Sequence, residues 1–250
     1  MTLTKRQAIA ALGLAGLGAL GALGAAQAAE PLRIGLIATY SGPYADYGRQ
    51  FDAGIALFLK ERNGQIAGRP VQIVKKDTAG PAPDAAKRFA QELVVRDKVS
   101  FITGLDFSPN AYAVAPIATQ AKVPTIVANA SSSAITTSSP YIARVSFTVQ
   151  QVSDPMARWL LRKGVNNVYT VVADYASGVD AETAFKKAFT AGGGQIAGEL
   201  RTPMNNPDFS AYVQRIKDAK PQAVFFFFPS GVMAPAIQNV WKGRGVVAAG

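Results

Sequence analysis

From residue 32 onward the chain alternates short apolar runs with segments whose apolar positions recur every three or four residues. Residues 32–38 (LRIGLIA) form the first such run, which is typical of a buried strand. Residues 47–62 follow with apolar side chains at helical spacing. Regular alternation of strand and helix predicts an α/β fold, with parallel sheets flanked by helices.

The predicted elements fall into two series. Strands are predicted at residues 32–38, 71–75, 100–103, 125–127, 142–145, 168–173, 194–200 and 223–228. Helices are predicted at residues 47–62, 84–97, 110–121, 150–163, 179–190, 209–218 and 232–242. The helix at 150–163 is predicted to bury a stripe made of Val152, Met156, Trp159 and Leu160. Residues 146–149 are the natural crossing, so we expect an N-terminal lobe at 30–146 and a second lobe at 147–250.

Residues 1–29 read as an export leader. They combine Lys5 and Arg6, a run of Gly, Ala and Leu, and a small-residue cleavage motif, Ala26-Gln27-Ala28. An uncleaved membrane anchor is the alternative, because the run approaches the roughly 20 residues of a spanning helix. Weak hydrophobicity and the cleavage motif favour a signal peptide. We therefore expect a periplasmic protein with no stable membrane insertion after signal cleavage.

Composition removes several classes of function. The chain has no cysteine and no histidine, which excludes disulfides, thiolate chemistry, ordinary zinc sites and every His-dependent triad. Its formal charge is +10, yet the basic residues are scattered and no basic stripe interleaved with aromatics appears. We therefore expect no nucleic-acid partner, no metal and no cofactor. An enzyme that uses Asp106 or Asp174 is a minor alternative.

Hydroxyl and aromatic residues gather after the predicted strands. In open parallel sheets, ligands bind beyond the carboxyl ends of the strands. The densest polar cluster is residues 129–139 (NASSSAITTSS), which is either a solvated loop or a carboxylate-binding strand end. Ser108 either caps a helix or presents its hydroxyl to an anion. Tyr47, Phe107 and Tyr175 are either core residues or cleft walls, whereas residues 225–228 are interpreted as buried strand.

Four segments together resemble a periplasmic binding protein of fold type I, of the branched-chain amino acid type. They are IGLIATYSGPYADYGRQFDAGIALFLKERNG, FITGLDFSPNAYAVAPIATQAKVPTIVANASSS, VVADYASGVDAETAFKKAF and FFFFPSG. The resemblance covers residues 32–244 and depends on the combination of segments. It implies a non-catalytic receptor that closes two lobes on a solute and docks on the permease of an ABC transporter.

Carried over by position, the resemblance also implies a ligand site. Ser108 and Ser132 would give hydroxyls to a carboxylate, and Ala130, Ser131 and Ser132 would offer backbone groups. Tyr47 and Phe107 would line the pocket. On the second lobe the nearest matches are Tyr175, Ser177 and Ser230.

Two departures bear on the ligand. Amino-acid-binding members carry an acidic residue on the second lobe and continue well beyond position 250, so the resemblance implies a chain incomplete at its C-terminus. The DYASG and FPSG segments look closer to the branch that binds aromatic carboxylates. We expect an extracytoplasmic receptor of an ABC importer that binds a small carboxylate, either a branched-chain amino acid or an aromatic acid. The alternative is a sensor of the same fold that reports to a signalling partner.

Overall fold

The computed structural model describes residues 29–205, 208–231 and 233–243, with strands and helices numbered in chain order. The strands are β1 (Leu32–Ala38), β2 (Gln65–Ile66), β3 (Arg69–Asp77), β4 (Phe101–Gly104), β5 (Thr125–Val127), β6 (Ile142–Arg144), β7 (Asn167–Ala173), β8 (Gln195–Thr202) and β9 (Ala223–Phe227). The helices are α1 (Asp46–Glu61), α2 (Pro83–Val95), α3 (Ser108–Ala121), α4 (Val149–Arg162), α5 (Ala176–Ala191), α6 (Phe209–Ala219) and α7 (Met233–Gly243). The predicted leader lies outside the described residues, except for its last position.

Two sheets organise the chain. The first has the order β2-β3-β1-β4-β5-β6, and the second has the order β8-β7-β9. All neighbours are parallel except the short antiparallel pair β2 and β3. We call the first sheet with α1–α3 the first unit, and the second sheet with α4–α7 the second unit. The predicted α/β fold class is confirmed, whereas the exact lobe boundaries stay a prediction.

Strand β7 shows why the second unit has three layers. Val168 and Val172 pack in a core with α4 and α5, while Tyr169, Val171 and Ala173 pack in another core with α6 and α7. Successive side chains of a strand point to opposite faces, so a strand covered on both sides reads as a continuous apolar run. The first unit buries one sheet face against α2 and α3, through residues such as Ile37, Ile102 and Leu93.

The predicted buried stripe of α4 is wrong for three of its four residues. Val152, Met156 and Trp159 are 44%, 46% and 45% exposed, and Leu160 is half-buried. The helix instead buries a face of smaller residues, namely Val149, Ser153 and Ala157. Small side chains allow close approach to α5, and this packing outweighs the larger apolar stripe.

Within the described ranges, no helix has both the length and the apolar character needed to cross a membrane.

Candidate functional site

A tight turn after β4 delivers three residues to the edge of the first sheet. Gly104 and Leu105 both have left-handed backbones, with φ of 95° and 58°. A Cβ on Gly104 would lie 2.3 Å from the carbonyl oxygen of Ile37, so only glycine fits there. The Leu105 N–H donates to the same Ile37 carbonyl, at 2.7 Å. The turn directs Asp106, Phe107 and Ser108 toward the second unit.

A glycine brings α5 close to the end of β7. A Cβ on Gly178 would lie 1.9 Å from the carbonyl oxygen of Ala173, the last residue of that strand. Any larger residue would push the first turn of α5 away from the sheet. Tyr175 and Ser177 are therefore held close to the strand end.

Helices α3 and α5 both begin at this place, one from each unit. Neither has an acidic residue in its first turn, and among the described residues no side chain caps either N-terminus. Ser108 and Ser177 lie in these first turns, with their hydroxyl oxygens 2.6 Å apart. Helix N-termini carry unpaired N–H groups and a partial positive charge. Their convergence favours an anion between the two units.

The loop after β5 completes the first-unit side. The Ser132 N–H donates to the Ser108 hydroxyl at 3.1 Å. The Arg144 guanidinium donates to the carbonyl of Ser132 at 2.7 Å and to that of Ala130 at 3.4 Å. Burial lowers the pKa of Arg144, although the group stays charged. Arg144 therefore fixes the loop to β6, while the Ser132 N–H joins it to α3.

Aromatic rings surround Phe107 in edge-to-face contact. Its ring centroid lies 5.1 Å from Tyr44, 5.5 Å from Tyr47 and 6.3 Å from Tyr175, at angles of 70–75°. Burial raises the pKa of the Tyr175 phenol, which therefore remains neutral and able to donate a hydrogen bond. Offset and edge-to-face pairs of this kind hold a rigid apolar wall.

A cavity of about 150 Å³ lies between the units beside these rings. Half of its twelve lining residues are aromatic, and most of the others are polar. The lining comprises Tyr47, Phe107, Phe147, Tyr175, Phe227 and Phe228, with Asp106, Asn129, Ser131, Ser177, Pro229 and Ser230. A wider groove of about 480 Å³, lined by Tyr112, Ser132 and Asp180 among others, opens on the outer side of the junction between α3 and α5.

Further hydrogen bonds join the two units. The Ser133 N–H donates to the Asp180 carboxylate at 2.6 Å, and the Ser230 N–H donates to the Tyr47 hydroxyl at 3.1 Å. The Tyr44 hydroxyl donates to the carbonyl of Met204 at 3.3 Å. The units therefore meet through polar contacts at several points around the cavity, which is the arrangement of a closed cleft.

Six of the nine residues predicted for the site line the cavity. These are Tyr47, Phe107, Ser131, Tyr175, Ser177 and Ser230. The other three do not line it. The Ser108 hydroxyl contacts that of Ser177, and the Ser132 N–H donates to Ser108, so both residues reach the cavity only through Ser177. The Ala130 N–H donates to the Leu105 carbonyl at 2.9 Å.

Sequence reasoning missed several lining residues. Phe227 and Phe228 were interpreted as buried strand, but they lie at the carboxyl end of β9 and border the cavity. The rule that ligands bind beyond the carboxyl ends of strands points to them. Phe147 was also missed, Asn129 was considered only as the start of the polar cluster 129–139, and Asp106 was considered only as an enzymatic residue. In the described part of the chain, no three acidic, His or Cys residues cluster as metal ligands would.

Comparison with known proteins identifies the family. A family model described as "Periplasmic binding protein" matches residues 31–248. The chain belongs to the periplasmic binding protein family. This confirms the resemblance found in the sequence, since the match covers almost the whole chain.

Individual relatives add detail. Leu/Ile/Val-binding protein homolog 6 of Brucella melitensis biotype 1 is 43% identical over 222 residues, which are 89% of this chain and 57% of the relative. A solute-binding protein of an ABC transporter from Rhodopseudomonas palustris BisB5, in complex with 3,4-dihydroxybenzoic acid, is 45% identical with a TM-score of 0.82. The match covers 86% of this chain and 59% of that protein. Another from R. palustris, in complex with 4-hydroxybenzoate, is 42% identical with a TM-score of 0.83, over 87% and 59% of the two chains. The chain thus spans well under two thirds of these relatives.

Proposed function

We propose that this chain is the solute-binding receptor of an ABC importer and closes on a single small aromatic carboxylate. The observation that carries the proposal is the cavity of about 150 Å³ between the units, half of whose lining residues are aromatic. An apolar cavity of about 150 Å³ is large enough to accept one benzene ring. A flat ring between Phe107, Tyr47 and Tyr175 would gain the edge and face contacts that aromatic groups favour.

The polar part of the site suits the carboxylate. The convergent N-termini of α3 and α5 offer N–H groups and partial positive charge, and Ser131 and Ser177 add hydroxyls at the cavity wall. Ser108 and Ser132 would support these donors from behind, through the bonds that link them to Ser177. Such a site binds an anion without a charged side chain in contact with it.

The relatives support the same class of ligand. Two solved proteins at 42% and 45% identity hold hydroxylated benzoates, while the curated relative is named for leucine, isoleucine and valine. The cavity favours the aromatic acids, because six aromatic side chains border a space of ring size. Binding by closure of two lobes needs no bond to be made or broken, so we propose a receptor rather than an enzyme.

Isothermal titration calorimetry of the purified protein tests the ligand class. We expect benzoate or its hydroxylated derivatives to bind, and leucine, isoleucine and valine to bind far more weakly. The recovered ligand should be chemically unchanged. Tight binding of leucine with no response to any aromatic acid would refute the proposal.

Export and the transport partner are tested in cells. We propose that the leader directs the chain to the periplasm, where it delivers its ligand to an ABC permease. Deleting the gene should abolish uptake of labelled 4-hydroxybenzoate at low external concentration, and a plasmid copy should restore it. Unchanged uptake together with a lost signalling response would favour the sensor instead.

A further inference from the structure

Asp106 is a buried acidic residue at the cavity that the proposed carboxylate site does not use. It is only 4% exposed and belongs to the cavity lining. One carboxylate oxygen, Oδ2, accepts the Thr39 N–H at 2.8 Å. The other oxygen, Oδ1, is buried and has no hydrogen-bond partner among the described residues.

Such an oxygen is unfavourable unless something donates to it. Buried polar atoms are nearly always hydrogen-bonded, and an unpaired one carries the full cost of its lost hydration. Burial raises the pKa of Asp106, although Thr39 and the N–H groups of Asp106 and Phe107 oppose the shift. The strained Gly104-Leu105 turn nevertheless holds the residue in this position.

Two side-chain amides of the first unit, those of Asn129 and Asn110, donate to other groups. The Asn129 amide donates to the backbone carbonyl of Asp106 at 3.0 Å. The Asn110 amide donates to the carbonyl of Gly80, also at 3.0 Å. Asp106 borders the cavity, so a ligand bound there would bring a donor to this carboxylate.

We propose that Asp106 is a specificity-determining residue that accepts a hydrogen bond from a donor group on the ring of the bound acid. The ligand class is then a hydroxy- or amino-substituted aromatic carboxylate rather than benzoate itself. This inference rests on the proposed function. Like charges repel, so the ligand carboxylate lies at the helix N-termini and its donor group at Asp106.

Ring substituents of similar size but different hydrogen-bonding capacity give a direct test. The purified protein is titrated by calorimetry with benzoate and with its 3- and 4-substituted hydroxy, amino and fluoro derivatives. At one ring position, we expect the hydroxybenzoate or aminobenzoate to bind about tenfold more tightly than the fluorobenzoate. This is the usual gain from a hydrogen bond to a charged group. Fluorine cannot donate, whereas the amino group donates and accepts poorly.

The variant Asp106→Asn keeps an oxygen for the Thr39 N–H and replaces Oδ1 with a donating NH₂ group. We expect this variant to lose the preference for the aminobenzoate, because the introduced NH₂ group and the amino group of the ligand would then be two donors facing each other. Asp84→Asn, on the exposed start of α2, is the matched control and should keep the preference. If Asp106→Asn does not fold, a crystal structure of the wild type with the tightest ligand decides, and a donor atom beyond about 3.5 Å from Oδ1 overturns the inference.

The outcomes separate this inference from the proposed function. Equal binding of all the aromatic acids by the wild type would overturn the role of Asp106 and leave the receptor proposal intact. Absence of binding by every aromatic acid would refute both.

Discussion

The hydroxyl oxygens of Ser108 and Ser177 lie 2.6 Å apart, although the two residues belong to different units of the fold. Each hydroxyl lies in the first turn of a helix, α3 or α5, whose N-terminus attracts anions. A carboxylate at the cavity wall would accept a hydrogen bond from Ser177, whose hydroxyl Ser108 contacts from the side away from the cavity. The contact therefore marks both the junction of the units and the anion end of the proposed site.

Ser108→Ala should weaken binding of the preferred aromatic acid by about 1–3 kcal/mol, because the substitution also removes the acceptor of the Ser132 N–H. Ser132→Ala should have a smaller effect, since its backbone N–H remains and its hydroxyl contacts Tyr112. Calorimetric titration measures both. Ser100→Ala, at an exposed position, is the control. Equal affinity of Ser108→Ala and the control would contradict this part of the site.

Asp180 should stabilise the closed form, because its carboxylate accepts the Ser133 N–H across the junction at 2.6 Å. Asp180→Ala removes this acceptor and should favour separation of the units, whereas Asp180→Asn keeps an acceptor oxygen. We expect a larger radius of gyration by small-angle scattering, and weaker ligand binding, for the alanine variant only. If both variants scatter like the wild type, this contact does not hold the units together.

The stability of the protein should depend on pH through Asp106. Burial raises its pKa in the folded chain above the ordinary value of about 3.9. Above pH 4 the folded chain therefore retains a proton that the unfolded chain has released, and this difference is lost as the pH rises through the raised pKa. The free energy of unfolding of the wild type should thus fall relative to Asp106→Asn as the pH rises. Urea denaturation of both proteins at several pH values measures this difference in the free energy of unfolding.

If the free energies of unfolding of the wild type and Asp106→Asn differ by the same amount from pH 4 to pH 8, the pKa of Asp106 is not raised in the folded chain. The neighbouring Tyr40 does not interfere, because its pKa is raised further above this range, chiefly by burial.

The strands and helices of the fold could largely be predicted from the sequence. The predicted runs 32–38 and 125–127 coincide with β1 and β5, because buried parallel strands read as continuous apolar segments between turns. Strand β2 was missed, since two residues are too few to show a period. The face that α4 buries could not be predicted, because close packing of small residues is decided by the neighbouring helix rather than by the pattern.

Lining residues could be predicted on both sides of the cavity, whereas the contacts between the units could not. The turn after β4 and the loop after β5 stood out as polar segments that follow apolar runs. The contact of Asp180 with the Ser133 N–H of the other unit was not predictable, because it depends on how the two sheets meet. The sequence pattern of a single strand or helix does not indicate how the two units are oriented relative to each other.

Arg201 should contribute to the stability of the second unit through its buried partner Glu182. Its guanidinium donates to the Glu182 carboxylate at 2.8 and 3.0 Å, and Thr170 donates to the other oxygen at 3.0 Å. Glu182 is only 1% exposed. Arg201→Met should lower the free energy of unfolding by about 3 kcal/mol, because it leaves a buried carboxylate without its cation. Adding Glu182→Met should restore much of the loss, and a double variant no more stable than the single one would contradict the pairing.

The two faces of α4 should respond in opposite ways to substitution. Trp159 is largely exposed, so Trp159→Gln should change the free energy of unfolding by less than about 1 kcal/mol. Ala157 is fully buried in the core with Ala181 and Phe185, so Ala157→Leu should cost about 1–3 kcal/mol through overpacking. Urea denaturation of the two variants gives both values, and the far-ultraviolet spectrum checks that the helix is retained. The reverse order of effects would mean that the helix buries its larger apolar stripe, as the sequence pattern alone predicts.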